Sequence, residues 1–197
     1  MPWLNETFVA FVKIAVAVDI PGILPVYLGL VEEYRSEQRR EVIRAGLITS
    51  SFTGLAFLFL GRAILGILGI TLIDFQFGGG LILIIMGVHE LLGGEMRVRR
   101  PSAEVGMVPL GVPLIIGPAV ISIMVISIDQ HGLGPTLTAF LANIALVGFV
   151  FNYSSGVIRI FGGNGLRVVS KIIMLFLVAL GMKMIRTGII ATFMRHE

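Results

Sequence analysis

Six stretches of about 20 apolar residues run through the chain, and each is long enough to cross a hydrocarbon core of roughly 30 Å as a helix. They cover roughly 7–31, 44–66, 75–94, 107–128, 136–158 and 168–190, with ends set to within a few residues. Between them only 32–43 (EEYRSEQRREVI) and 95–106 (EMRVRRPSAEVG) are clearly polar, so no water-soluble domain is expected. The expected fold is an all-α membrane protein with six transmembrane helices. It forms one transmembrane domain over 1–197, built from two three-helix halves at about 1–94 and about 107–197.

Composition agrees: 56% of the residues are hydrophobic and 14% charged, an apolar surface that no water-soluble domain of this size could hide. The net charge of +3 does not point to nucleic acid, because the basic residues lie in short clusters between apolar runs and act as topology signals. Cysteine is absent, and His89, His131 and His196 lack ligand spacing, so no metal site or other cofactor is expected. The N-terminus, MPWLNETF, lacks a basic leader, and the first span is expected to be retained.

An offset of 94 residues pairs Gly54 with Gly148, Leu83 with Leu177, Gly87 with Gly181 and Gly94 with Gly188, among nine identities between 54 and 94. Composition alone would give roughly four. A repeat of three spans, an odd number, inserts its two copies with opposite orientation, and inverted repeats of this kind are a transporter signature.

The two halves share a second feature, an interrupted helix. The first span reads DIPGILP, with Asp19, Pro21, Gly22 and Pro25 near the expected midplane, and the fourth reads VPLIIGPA, with Pro113, Gly117 and Pro118 at corresponding depth. Proline removes a backbone donor and turns the preceding residue away from helix, and glycine permits the turn. New half-helices are expected to begin near Ile20 and near Pro118. In hydrocarbon such breaks persist only where protein or a wet cavity satisfies the freed backbone groups. Their N-terminal dipole ends would receive a carboxylate, while Asp19 and the carbonyls ending the first half-helices would receive an ammonium group or a coupling cation. A zwitterion such as an amino acid fits that pair. An ordinary kink, with Asp19 as an N-cap, is the other reading.

AVAVDIPGILPVYLGL, ILGILGITLIDFQFGGGLILIIMG and PLGVPLIIGPAVISIMV, in that order, resemble the signatures of the MarC family of six-span membrane proteins. The resemblance implies a multi-pass protein of a prokaryotic cell (inner) membrane, and some members are described as neutral amino-acid transporters. This chain departs from the family's usual D/N-P-x-G-N-x-P motif: Ile20 and Pro21 reorder its start and Ile23 replaces a polar residue. The second, GPG-like motif ends in Ala119.

The expected substrate-binding set is therefore Asp19, Ile20, Pro21, Gly22, Pro25, Pro113, Gly117, Pro118 and Ala119, joined by Thr49 and Asn143, which are polar positions 94 residues apart in the second and fifth spans. His89 and Glu90 suit a proton relay or a snorkelling position, and Lys13, Arg62 and Lys183 are read as snorkelling. The function expected is secondary transport of small neutral amino acids or similar solutes by alternating access, with H+ or Na+ as the coupling ion. A non-transporting structural or regulatory membrane protein is the alternative. A membrane-embedded enzyme has less support, since HExxH, a paired nucleophile and base, and a cysteine nucleophile are all missing from the sequence.

Ten of the fifteen basic residues, from Arg35 to Lys171, fall in or beside the loops after the first, third and fifth spans, which makes that side cytoplasmic and places both termini outside. A small epitope at either terminus should label on intact cells, and one inserted at 35–40 only after permeabilisation. The opposite pattern would invert the topology.

Overall fold

The computed structural model describes residues 2–31, 34–93 and 115–194, and among these every regular element is a helix. In chain order they are α1 (Pro2–Val18), α2 (Ile20–Val31), α3 (Ser36–Ile67), α4 (Leu72–Leu91), α5 (Pro118–His131), α6 (Leu133–Asn152) and α7 (Ser154–Met194). Within α7, Gly162 has φ 65° and ψ 163°, so two helices meet there across a kink.

Among the described residues five stretches are long and apolar enough to cross a membrane: Pro2–Leu24, Ser36–Gly61, Leu72–Leu91, Leu133–Asn152 and Asn164–Phe193. They correspond to five of the six expected spans. The exception is the fourth, where residues 107–114 lie outside the described residues and α5 alone supplies 14 residues, about 21 Å of helix. The polar segment at 32–43, whose alternating acids and bases suit a solvated loop or an interfacial helix, takes the second form. From Ser36 it is already the start of α3, because Glu37, Gln38, Arg39 and Arg40 are good helix formers and the Gln38 side chain accepts from the Arg35 N–H at 3.0 Å.

Large apolar side chains face outward, with Phe52 76% and Phe193 73% exposed, while Ala10, Ile14, Leu24, Leu83, Met124 and Phe140 are fully buried. A surface that apolar requires lipid around it. Inside the bundle, the largest contact joins α4 to α7. A Cβ on Gly80 would lie 2.7 Å from the Gly181 carbonyl oxygen, one on Gly181 2.6 Å from that of Gly80, and one on Gly87 3.1 Å from that of Met174. The contacts descend α7 as they climb α4, so the two helices run antiparallel with their backbones touching.

The other helices assemble around that seam. The Phe140 ring of α6 occupies the space that a side chain at Gly54 of α3 would need, and Leu47 of α3 does the same opposite Gly148 of α6. Asn143 ties α6 to α1 by donating to the Phe11 carbonyl at 3.2 Å. Tyr27 of α2 stacks on Phe151 of α6 with ring centroids 4.4 Å apart. Lys13 of α1, Gln130 of α5 and Lys183 of α7 line one cavity, so α1 begins and α5 and α7 end at the same end of the bundle.

Gly78 has open space where a Cβ would go, whereas Gly80 faces backbone. Gly80→Ala should therefore destabilise the protein by about 1–3 kcal/mol, and Gly78→Ala should be neutral or stabilising by up to about 1 kcal/mol. Unfolding in mild detergent followed by circular dichroism reads the difference; equal effects would mean that the seam is not backbone on backbone.

Candidate functional site

The interruption in the first span is a single residue. Asp19 donates its N–H to the Ala15 carbonyl at 3.1 Å, closing α1, and its own carbonyl accepts from the Gly22 and Ile23 N–H groups, each at 3.0 Å, opening α2. Its φ is 46°, in the left-handed region that Asp enters more readily than most residues carrying a Cβ. Pro21 then falls in the first turn of α2, where its missing N–H costs nothing.

That conformation turns the Asp19 carboxylate inward, and the residue is only 7% exposed. Oδ2 accepts a hydrogen bond of 2.8 Å from the Ser170 hydroxyl of α7, while Oδ1 is buried with no hydrogen-bond partner among the described residues. Gly22 makes the arrangement possible, since a Cβ there would sit 2.0 Å from Oδ2 and 2.8 Å from the Ser170 oxygen. Glu90 of α4 is near enough for its charge to repel that of Asp19. A buried carboxylate with one oxygen unpartnered and a second acid nearby can receive a cationic group or a proton.

The second interruption opens α5. Gly117 is its N-cap with an extended backbone, Pro118 is its first residue, and the Ile121 N–H donates to the Gly117 carbonyl at 3.1 Å. Gly117 and Ala119 are buried and Pro118 is exposed. Pro113 lies outside the described residues, as does the side chain of Pro25.

Asp19, Ile20, Pro21 and Gly22 form one corner where α2 meets α7, whereas Gly117, Pro118 and Ala119 begin a helix that packs on α1 and α4. Asn143 is buried, its amide nitrogen donating to the Phe11 and Ala139 carbonyls while its Oδ1 has no partner among the described residues. Thr49 is half-buried on α3. Among the described residues no hydrogen bond joins these three groups to one another. Ser170 was not legible as a site residue, because a serine in RVVSKII carries no local signal and its partner lies 151 positions away.

Gly22→Ala should push the carboxylate off Ser170, and Ser170→Ala should leave Oδ2 buried without a donor, each costing about 1–3 kcal/mol of stability. Because both act on one contact, the double variant should lose less than the sum. Additive losses in thermal unfolding would show that Gly22 and Ser170 do not act through Asp19.

The sequence matches the model of the MarC family integral membrane proteins over residues 4–193. It is 26% identical to a UPF0056 membrane protein of Archaeoglobus fulgidus over 95% of this chain and 93% of that one. The UPF0056 membrane protein YhcE of Escherichia coli is also 26% identical, over 94% and 93% of the two chains. For the UPF0056 membrane protein YvbG of Bacillus subtilis the identity is 27%, over 95% and 96%. No solved structure matches the chain. The similarity runs through both helix interruptions and all five apolar spans, and the chain belongs to the MarC family of integral membrane proteins.

Proposed function

We propose that this protein is a secondary transporter of small neutral amino acids or similar small solutes, working by alternating access in a prokaryotic cell membrane with both termini outside. The observation that carries the reading is the buried Asp19 carboxylate at a helix break, with Oδ1 lacking a partner among the described residues. Ionisable groups are expensive at membrane depth and mark substrate or ion pathways there. Asp19 would receive the ammonium group of the substrate, or a coupling H+ or Na+, and the N–H groups opening α5 after Gly117 would receive its carboxylate.

The inverted repeat belongs to the same proposal. Shifted by 94 positions, the Gly80–Gly181 contact becomes the Gly87–Met174 contact, and α4 and α7, the third helices of the two halves, run antiparallel. Both facts support two halves of opposite orientation that rock about the α4–α7 seam. Residues 107–114 together with α5 would complete the sixth span.

The alternative, a non-transporting protein in which Asp19 only joins two helices, is separated by Asp19→Asn. Asparagine tolerates the left-handed backbone and its amide oxygen can accept from Ser170, so fold and insertion should persist. In liposomes loaded with a panel of neutral amino acids, with and without proton or sodium gradients, wild-type protein should catalyse counterflow and Asp19→Asn should be slower by about tenfold or more. Pro118→Ala, which restores a donor and lets the helix extend, should weaken substrate binding. Equal rates for wild type and Asp19→Asn, or no counterflow by wild type with any of the panel, would overturn the reading.

A further inference from the structure

At the end of the bundle where α1 begins, Lys13 of α1 and Lys183 of α7 line a cavity of about 30 Å³ together with Gln76, Gln130 and Thr187. Four of these residues, Lys13, Gln76, Lys183 and Thr187, lie within membrane-spanning stretches, where charge is costly and seldom without a role. The two ammonium groups are close enough to repel one another, an arrangement that a fold retains against its own stability. No acidic residue is among those lining the cavity in the described residues.

The surroundings hold Lys13 in place without neutralising it. Its Nζ donates to Gln130 Oε1 at 2.7 Å and to His131 Nε2 at 2.8 Å. His131 Nδ1 in turn meets the Glu6 carboxylate. The Glu6 contact places the ring proton on Nδ1, which leaves Nε2 as the acceptor for lysine. Neither direct partner of the Lys13 ammonium is a carboxylate, and Glu6 acts from across the ring.

Gln76 of α4 supplies the second, independent observation. It is 7% exposed, it lines the cavity, and its amide has no hydrogen bond among the described residues. Ile123, Ile126, Leu180 and Met184 make up much of the cavity wall, so the amide has few polar neighbours to pair with, and a buried amide calls for a partner. By volume the cavity admits about two water-sized groups, the size of one carboxylate end.

We propose that this cavity is a second binding site, which takes one anionic oxygen group, a carboxylate or a phosphate, between Lys13 and Lys183. The two lysines supply the charge, and the Gln76 amide supplies a further donor, the Thr187 hydroxyl being spent on the Lys183 carbonyl at 2.9 Å. The ligand is either a free small anion or the headgroup of an anionic lipid reaching in from the bilayer. The site stands apart from the Asp19 corner and does not depend on transport.

The test is binding by the full chain in nanodiscs of phosphatidylcholine, titrated with sodium acetate or inorganic phosphate at ionic strength held constant with sodium chloride. The thermal midpoint of wild type should rise saturably with one of these probes, and Lys183→Gln, an exposed position that should fold normally, should need about tenfold more of it or fail to respond. Gln76→Leu, which keeps both charges, should weaken the response as well and carries the test if Lys183→Gln proves unstable. Arg186→Gln removes an exposed charge outside the cavity wall and should behave as wild type. A response to phosphatidylglycerol in the nanodisc but to neither soluble probe, again dependent on Lys183, would support the site with lipid as its source. Wild type and Lys183→Gln behaving alike with every probe, or Arg186→Gln losing as much as Lys183→Gln, would overturn it.

Discussion

The α4–α7 seam, where Gly80 and Gly181 bring two backbones into contact, is the interaction around which the other helices are arranged. Helices surrounded by lipid gain little from hiding apolar side chains from one another, because lipid tails are as apolar as leucine. Close approach and dispersion must supply the adhesion, and that favours glycine on the touching faces. The shorter helices attach to the seam in the same manner. At Gly79 a Cβ would lie 2.8 Å from the Ser122 hydroxyl of α5, and at Gly22 the same 2.8 Å from the Ser170 hydroxyl of α7.

Those two attachments place polar chemistry at both ends of the seam. Ser170 of α7 meets Asp19 where α2 begins, and Gln76 of α4 faces the lysine-lined cavity beside α5. Ser170 stands 94 residues after Gln76, the spacing that also relates Gly87 to Gly181. One of the two polar corners carries an acid and the other two bases. The Asp19 corner is held by a short helix, α2, that starts inside the bundle, where the backbone groups of a helix end need partners.

Much of the fold was legible because it follows from local chemistry. Apolar runs near 20 residues predict spans, and Leu72–Leu91, Leu133–Asn152 and Asn164–Phe193 lie close to the expected 75–94, 136–158 and 168–190. Proline and glycine predict interruptions, and α2 and α5 begin at Ile20 and Pro118, where new half-helices were expected. The start of α3 was placed too late, because its first two turns are polar and helical propensity there was outweighed by hydropathy. Within the GGG run at 78–80 only the packing separates Gly78, which faces open space, from Gly80, which faces another backbone.

By itself the sequence determined the membrane class, most of the helices and the places where α2 and α5 begin, since each depends on residues within a few positions of one another. Tertiary structure alone decided what those breaks face. Asp19 finds Ser170 across 151 positions, and Lys13 reaches Gln130 and His131 across 117 and 118. In a bundle where nearly every segment is apolar, hydrophobic pattern says that helices associate but not which faces meet. The choice rests on a few glycines and buried polar atoms whose partners are set by the register of one helix against another.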